Sequence, residues 1–299
     1  MPRHFETDEL SSVRDLVRWG ASRFREAGLH FGHGTDNALD EAFFLTLHAL
    51  HLPTDIPALY LESTVTASER TAVLKLLRAR VTTRKPAAYL IGEIEFAGMP
   101  FHVDERVLIP RSPIGELILA DFQPWLQGQP ERVLDLCTGS GCIGIACAAQ
   151  FPYAQVDLAD ISEGALAVSR KNIKRHGLED RVRAIKSDVF DGLGDATYDL
   201  IVTNPPYVTT AEWNTLATEY RHEPRLALEA GHDGMDIVAR ILEGAVAHLR
   251  PGGLLICEVG AFVEEFEVRW PQLPVTWLDF ERGGDGVFLI SREDLVSHL

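Results

Sequence analysis

Residues 132–144 read R-V-L-D-L-C-T-G-S-G-C-I-G. A short apolar run carries one internal acid, passes into a glycine loop, and then enters a helical stretch through Cys147. Gly139, Gly141 and Gly144 fit the spacing G-x-G-x-x-G. Strand, glycine loop and helix in that order open a nucleotide-binding βαβ unit, because the glycines let the backbone approach a ligand at the helix N-terminus. The spacing alone does not say which nucleotide.

Reading onward from that unit, strand and helix patterns alternate. Residues 155–161 form a second strand and 162–176 a helix. Residues 181–188 and 198–204 give two further strands, and a helix at 235–249 precedes a fifth strand at 253–259. Such alternation predicts a parallel sheet covered by helices on both faces, an α/β Rossmann-like fold. The ending differs: strands at 275–280 and 287–290 flank E-R-G-G-D-G, which predicts an antiparallel hairpin closing the sheet.

Reading backward, the texture is helical. Leu10, Val13, Leu16, Val17 and Phe24 share one helix face, Val73, Leu74, Leu77 and Val81 another, and an apolar helix at 40–50 ends before Pro53. At Glu93 the chain turns to E-I-E-F-A-G-M-P-F-H-V, a β-hairpin around Gly98 and Pro100, followed by L-I-P-R-S-P-I. We therefore expect a helical domain over 1–90, a hairpin and linker over 91–112, and an α/β domain over 113–299.

Composition bounds the function. With 46% hydrophobic and 24% charged residues the chain is an ordinary globular protein. No apolar window spans a membrane and M-P-R-H-F-E-T-D-E-L lacks an apolar signal region, so a cytoplasmic location is expected. Cys137, Cys142, Cys147 and Cys257 form no C-x-x-C pair and read as small buried hydrophobes. His30, His33, His48 and His51 have no cysteine or carboxylate pattern to complete a coordination sphere, so they read as loop and helix-surface side chains and no metal is expected.

The net charge of -16 repels phosphate backbones and argues against a duplex-DNA binder. Residues 1–125 carry 13 Lys/Arg against 17 Asp/Glu, whereas 126–299 carry 15 against 27. Within the milder part, Arg70, Lys75, Arg78, Arg80, Arg84 and Lys85 form a basic stripe, readable as a solvated helix face or as a contact to an RNA-rich partner.

Three acids narrow the ligand. Asp160 ends the second strand, where a ribose hydroxyl is gripped. Asp135 lies inside the first strand, where a carboxylate suits an ammonium-bearing ligand and repels a pyrophosphate. Asp188 ends the third strand, placed to accept from an adenine amino group. Acids at successive strand ends favour S-adenosyl-L-methionine over a dinucleotide, although Asp135 and Asp188 could each serve a cap or turn instead.

The fourth strand then delivers T-N-P-P-Y-V at 203–208 into the same crevice. Prolines donate no N–H and hold the preceding residue extended, so the turn offers acceptors with few competing donors. The Asn204 side chain and the Pro205 carbonyl make an acceptor pair for an NH2 group, and Tyr207 can pack against a planar amide or base. An amide nitrogen is a poor nucleophile, and holding both hydrogens favours the geometry that exposes its lone pair.

Asp135 to Gly141, Asp160 and Asn204-Pro205-Pro206-Tyr207 together resemble the class I, S-adenosylmethionine-dependent protein-(glutamine-N5) methyltransferases, whose sheet is seven-stranded. The resemblance covers nearly the whole chain, including the helical domain and the I-P-R segment at 109–111. Members with an N-terminal helical domain act on a Gly-Gly-Gln motif in release factors or on a glutamine of large-subunit ribosomal protein three. Release-factor enzymes continue I-P-R-P-D-T-E. Here Ser112-Pro113-Ile114-Gly115-Glu116, Trp19, the F-G-H-G-T-D-N run at 31–37 and Cys137 at a usual glycine are similar to the ribosomal-protein branch.

The resemblance implies Asp135, Cys137, Thr138, Gly139, Ser140, Gly141, Asp160, Ile161, Asp188, Val189 and Asn204 as the cofactor set. Thr138 to Gly141 would take the methionine portion and Asp188 with Val189 the adenine region. It implies Asn204, Pro205 and Tyr207 as catalytic, Asn204 to Tyr207 with Arg111 as substrate-binding, and the helical domain as the recognition domain. Three alternatives stay open: a release-factor substrate, an adenine-N6 or cytosine-N4 methyltransferase that flips its base, and a ribosome-assembly factor using the fold as scaffold.

Overall fold

The computed structural model describes residues 7–281 and 283–299. The chain forms two compact units: one ends at Glu93 and takes in Ala217–His222, and the other comprises Ile94–Leu216 with Glu223–Leu299. Of the sequence features, the N-terminal residues 1–6 and Arg282 in the E-R-G-G-D-G turn lie outside the described residues.

The first unit is helical: α1 (Val13–Glu26), α2 (Ala38–Ala49), α3 (Ala67–Thr83) and α4 (Ala87–Ile91). Each of the three long helices starts on a polar cap. Ser12 and Thr66 each make a capping box with an acid three residues on, and Asn37 accepts from two backbone N–H groups. Leu16, Phe24, Leu45, Leu47, Val73 and Leu77 are buried between the helices. Gly20 permits their close approach, because a Cβ there would lie 3.0 Å from Leu77 and 3.2 Å from Ala42.

The basic stripe is only partly a surface. Arg80 is fully buried, donating to Glu41 at 2.7 Å and to the carbonyls of His30 and Arg84. Arg84 pairs with Glu219 at 2.7 Å, and Arg70 donates to the Asp8 carbonyl at 2.8 Å. The run of basic residues groups Arg80 with its neighbours, but Arg80 stands three residues after Leu77 on the buried face of α3, where the buried Glu41 carboxylate meets it. His33 is likewise buried, with its ring 4.4 Å from that of Tyr220, so the surface reading fails for it.

The second unit opens with the hairpin β1 (Glu93–Phe96) and β2 (Met99–His102), then α5 (Ile114–Leu119). The alternating part follows as β3 (Arg132–Leu136), α6 (Cys142–Gln150), β4 (Gln155–Asp160), α7 (Glu163–Arg175), β5 (Val182–Lys186) and β6 (Tyr198–Thr203). It ends with α8 (Thr210–Thr215), α9 (Asp236–His248), β7 (Leu249–Glu258), α10 (Val263–Arg269), β8 (Thr276–Trp277), β9 (Val287–Ser291) and α11 (Arg292–His298).

The seven strands are ordered β5-β4-β3-β6-β7-β9-β8. β5 through β7 are parallel, and β9 pairs antiparallel with both β7 and β8. The chain order reverses on either side of β3, which makes its carboxyl end the topological switch point where open sheets bind ligands. Two apolar clusters cover the two faces, one including Val133, Ile145, Val156 and Leu158, the other Leu134, Ile201, Val238 and Leu255. The expected elements are all present. The terminal strand is shorter than its apolar run, and α4, α5, α8, α10 and α11, each no longer than 7 residues, carry too few turns for periodicity to reveal them.

Candidate active site

Four strand ends converge on a cavity of about 230 Å³. Its wall includes Cys137 and Gly139 after β3, Asp160 at the end of β4 and Ile161 after it, Asp188 and Val189 after β5, and Asn204 and Pro206 after β6. Asp135, Thr138, Ser140 and Gly141 do not line it. Nor do Pro205, Tyr207 or Arg111.

The residues off the wall shape it. Asp135 is buried, and its Oδ2 accepts from Thr138 Oγ1 at 2.5 Å and from the Gly144 N–H at 2.8 Å. It thus joins strand, loop and helix at one atom. Gly144 must lack a side chain, since a Cβ would stand 2.2 Å from Leu158 and 2.9 Å from the Asp135 Cβ. Burial pushes the Asp135 carboxyl up to about 7 against these hydrogen bonds.

Asp160 fixes the loop from the other side, accepting from the Gly139 N–H at 2.9 Å and the Ser162 N–H at 2.8 Å. Burial raises its pKa, and those two backbone donors oppose the rise. From α7, Ser169 donates to the Gly139 carbonyl at 2.7 Å and Asn172 to the Ser140 carbonyl at 2.8 Å. Asn172 also donates to the His102 carbonyl and accepts from its N–H, tying the hairpin to the same loop. Ser169→Ala is expected to lower stability by about 0.5 to 1.5 kcal/mol, read as a shifted urea midpoint. An unchanged midpoint would show that the loop carbonyl finds another donor.

The wall stores backbone strain. Cys137 has φ +57° and Val189 φ +50°, left-handed conformations that glycine adopts freely and a β-branched residue resists. Glycine would hold this left-handed turn at 137 without that strain. The Cys137 thiol is raised by burial and by the neighbouring acids, so it stays neutral.

At the NPPY turn, none of the hydrogen bonds among the described residues uses the Asn204 side chain, which faces the cavity. No backbone N–H among them reaches the Pro205 carbonyl. The turn's exit is pinned by the Val208 N–H on the Leu228 carbonyl at 2.8 Å. Arg111 donates to both oxygens of the buried Glu223 at 2.6 and 2.9 Å. Glu223 also accepts from the Ile109 N–H.

Several wall residues were not among the expected site residues. Arg106, Val107 and Leu108 come from the linker, Pro224, Leu226 and Ala227 from the segment after α8, and Ile237 and Arg240 from α9. Arg240 pairs with Asp188 at 2.7 Å, so one oxygen of that acid is already engaged. No group of three or more His, Cys, Asp or Glu among the described residues could hold a metal ion, and no described helix is long and apolar enough to cross a membrane.

Residues 115–265 match the family described as Methyltransferase small domain. The hMettl16 catalytic domain, a solved structure, covers 97% of this chain and 94% of its own at a TM-score of 0.50 and 16% identity, a likeness of fold alone. A relative from Xylella fastidiosa is 52% identical over 292 residues, spanning 97% of this chain and 93% of its own. One from Bordetella pertussis is 48% identical over 289 residues, spanning 96% and 97%. Both carry the name ribosomal protein uL3 glutamine methyltransferase. Identity at that level across nearly the full length of each shows that the chain belongs to the family of ribosomal protein uL3 glutamine methyltransferases, built on the class I methyltransferase fold.

Proposed function

We propose that the protein transfers a methyl group from S-adenosyl-L-methionine to the side-chain amide nitrogen of a glutamine in ribosomal protein uL3. The observation that carries the chemistry is the pair of uncommitted acceptors, the Asn204 side-chain oxygen and the Pro205 carbonyl, at the end of β6 beside the cavity. Family membership supports the choice of uL3. Release-factor and base substrates share the acceptor logic and have no such support.

When bound, S-adenosylmethionine would supply an electrophilic methyl on a sulfonium: as the N–CH3 bond forms the S–CH3 bond breaks to leave a neutral thioether, so no general acid is required, and the amide nitrogen gives up one of its two protons to solvent. Asn204 and Pro205 hold both amide hydrogens, which orients the nitrogen lone pair toward the methyl. The Asp160 carboxylate takes the ribose hydroxyls, Asp188 and Val189 the adenine region, and the Gly139 loop the methionine portion. The apolar wall fits a nucleoside, and the acids around it suit a cation. Asp135 and Thr138 act through the loop they brace, Arg111 acts through Glu223, and the helical unit recognises the protein substrate. Ribosomal RNA contact has weaker support, since Arg70, Arg80 and Arg84 are spent on the helical unit.

Asp160→Ala is expected to weaken S-adenosylmethionine binding by about 1.5 to 3 kcal/mol by calorimetry. Unchanged affinity would remove Asp160 from the ribose. The reaction is tested by incubating the protein with labelled S-adenosylmethionine and, separately, isolated uL3, assembling large subunits, release factors and DNA. Label on a uL3 glutamine is expected. Label confined to a release factor or to DNA would overturn the assignment.

A further inference from the structure

Tyr207 closes the NPPY turn without lining the cavity, and its hydroxyl donates to Glu258 Oε1 at 3.0 Å. Glu258 ends β7, the neighbour of β6 in the sheet, and is buried. Its second oxygen accepts from the Ser112 hydroxyl at 2.6 Å. These contacts join the linker, the NPPY turn and a strand end that lie far apart in sequence.

The ring is held on other sides too. A Cβ on Gly260 would lie 2.8 Å from the Tyr207 ring, and Gly260 has φ +55°. The backbone of Tyr207 is crowded as well, since a Cβ on Gly234 would lie 2.2 Å from its carbonyl oxygen. Phe262 sits with its ring centroid 6.1 Å away. Backbone packing restricts where the ring goes, and the Glu258 bond fixes its hydroxyl end.

Resting on the proposed glutamine-binding role of the turn, we infer that Glu258 is a positioning residue for that turn: it anchors Tyr207 through the hydroxyl and is itself oriented by Ser112. The turn is then fixed at its entry by the β6 ladder and at its exit by the Tyr207 anchor and the Val208 bond. An acceptor pair must hold a glutamine amide to within a fraction of an ångström for its lone pair to meet the methyl. Burial raises the Glu258 carboxyl above its usual range, and the bonds from Ser112 and Tyr207 draw it back.

The test combines kinetics with a readout that needs no substrate. Glu258→Met removes the acceptors at similar volume and is expected to lower kcat/KM for uL3 about 10-fold, while Glu258→Gln, keeping an acceptor, recovers most of it. Cofactor affinity stays unchanged in both. In a Tyr207→Phe background, Glu258→Met is expected to add less than about a twofold further loss, because both changes break the Tyr207–Glu258 bond and the Ser112 bond acts on the turn only through it. Independent, multiplicative losses would overturn the anchor, as would Glu258→Met activity equal to the parent's.

With tyrosine labelled at 13Cζ, the Tyr207 resonance is expected to move in Glu258→Met and, less, in Ser112→Ala. An unmoved resonance overturns the inference whatever the protein methylates. A moved resonance in a protein that transfers no methyl to uL3 supports the anchor and sinks only the substrate assignment. If Glu258→Met does not fold, Ser112→Ala and Tyr207→Phe carry the same cycle.

Discussion

Asn204→Ala is expected to lower kcat by about 100-fold or more, equivalent to roughly 3 to 4 kcal/mol of transition-state stabilisation, with cofactor affinity little changed. The side chain faces the cavity and serves no hydrogen bond among the described residues, so truncating it leaves no buried partner orphaned. Folding stability should therefore hold while turnover falls. Asn204→Asp would keep an acceptor but set a negative charge beside the Pro205 carbonyl and the acids at 160 and 188, and should rescue little. The measurement is single-turnover methyl transfer beside calorimetric titration of S-adenosylmethionine. Near-parental turnover in Asn204→Ala would show that the glutamine amide is held elsewhere.

Asp135→Asn is expected to change how stability depends on pH. Burial lifts the Asp135 carboxyl from its ordinary 3.8 to about 7. The unfolded chain then loses this proton near pH 4, whereas the folded chain keeps it until near pH 7. Between those values the folded state binds more protons. The stability from the protonated acid is fully present below pH 4 and is lost as pH rises through 7. Asparagine does not titrate, so parent stability relative to Asp135→Asn should fall by about 1.4 kcal/mol per pH unit across that window. Urea unfolding of both proteins at pH 4.5, 5.5 and 6.5 reads the slope directly. A pH-independent difference would mean that the carboxyl ionises as freely in the fold as outside it.

These two expectations differ in how visible they were before the fold was known. Asn204 was legible because a strand that stops on Asn-Pro-Pro has a single stereochemical reading: extended backbone with acceptors and few donors. Asp160 was legible for the same local reason, as the acid that ends the strand after a glycine loop. The sequence also marked Asp135, but as a ligand contact. The structure puts it behind the wall, with its Oδ2 holding Thr138 and Gly144. What it touches depends on how α6 packs against β3, which no stretch of 13 residues specifies.

The alternating α/β order, the helical first part, the glycine loop and the proline-bounded turn after β6 are all legible along the chain. Each is a local consequence of side-chain period, proline and glycine stereochemistry, or a cap. Tertiary structure alone decided which polar groups are desolvated and by whom they are met. Arg80 left the basic stripe because Glu41, 39 residues earlier, is buried opposite it. Ala217–His222 joined the helical unit because Glu219 accepts from His30 and pairs with Arg84. Glu258 reached Ser112 across 146 residues and Tyr207 across 51. A buried charge or hydroxyl is stable only where a partner meets it, and that partner is fixed by the packing of distant segments rather than by the residues alongside.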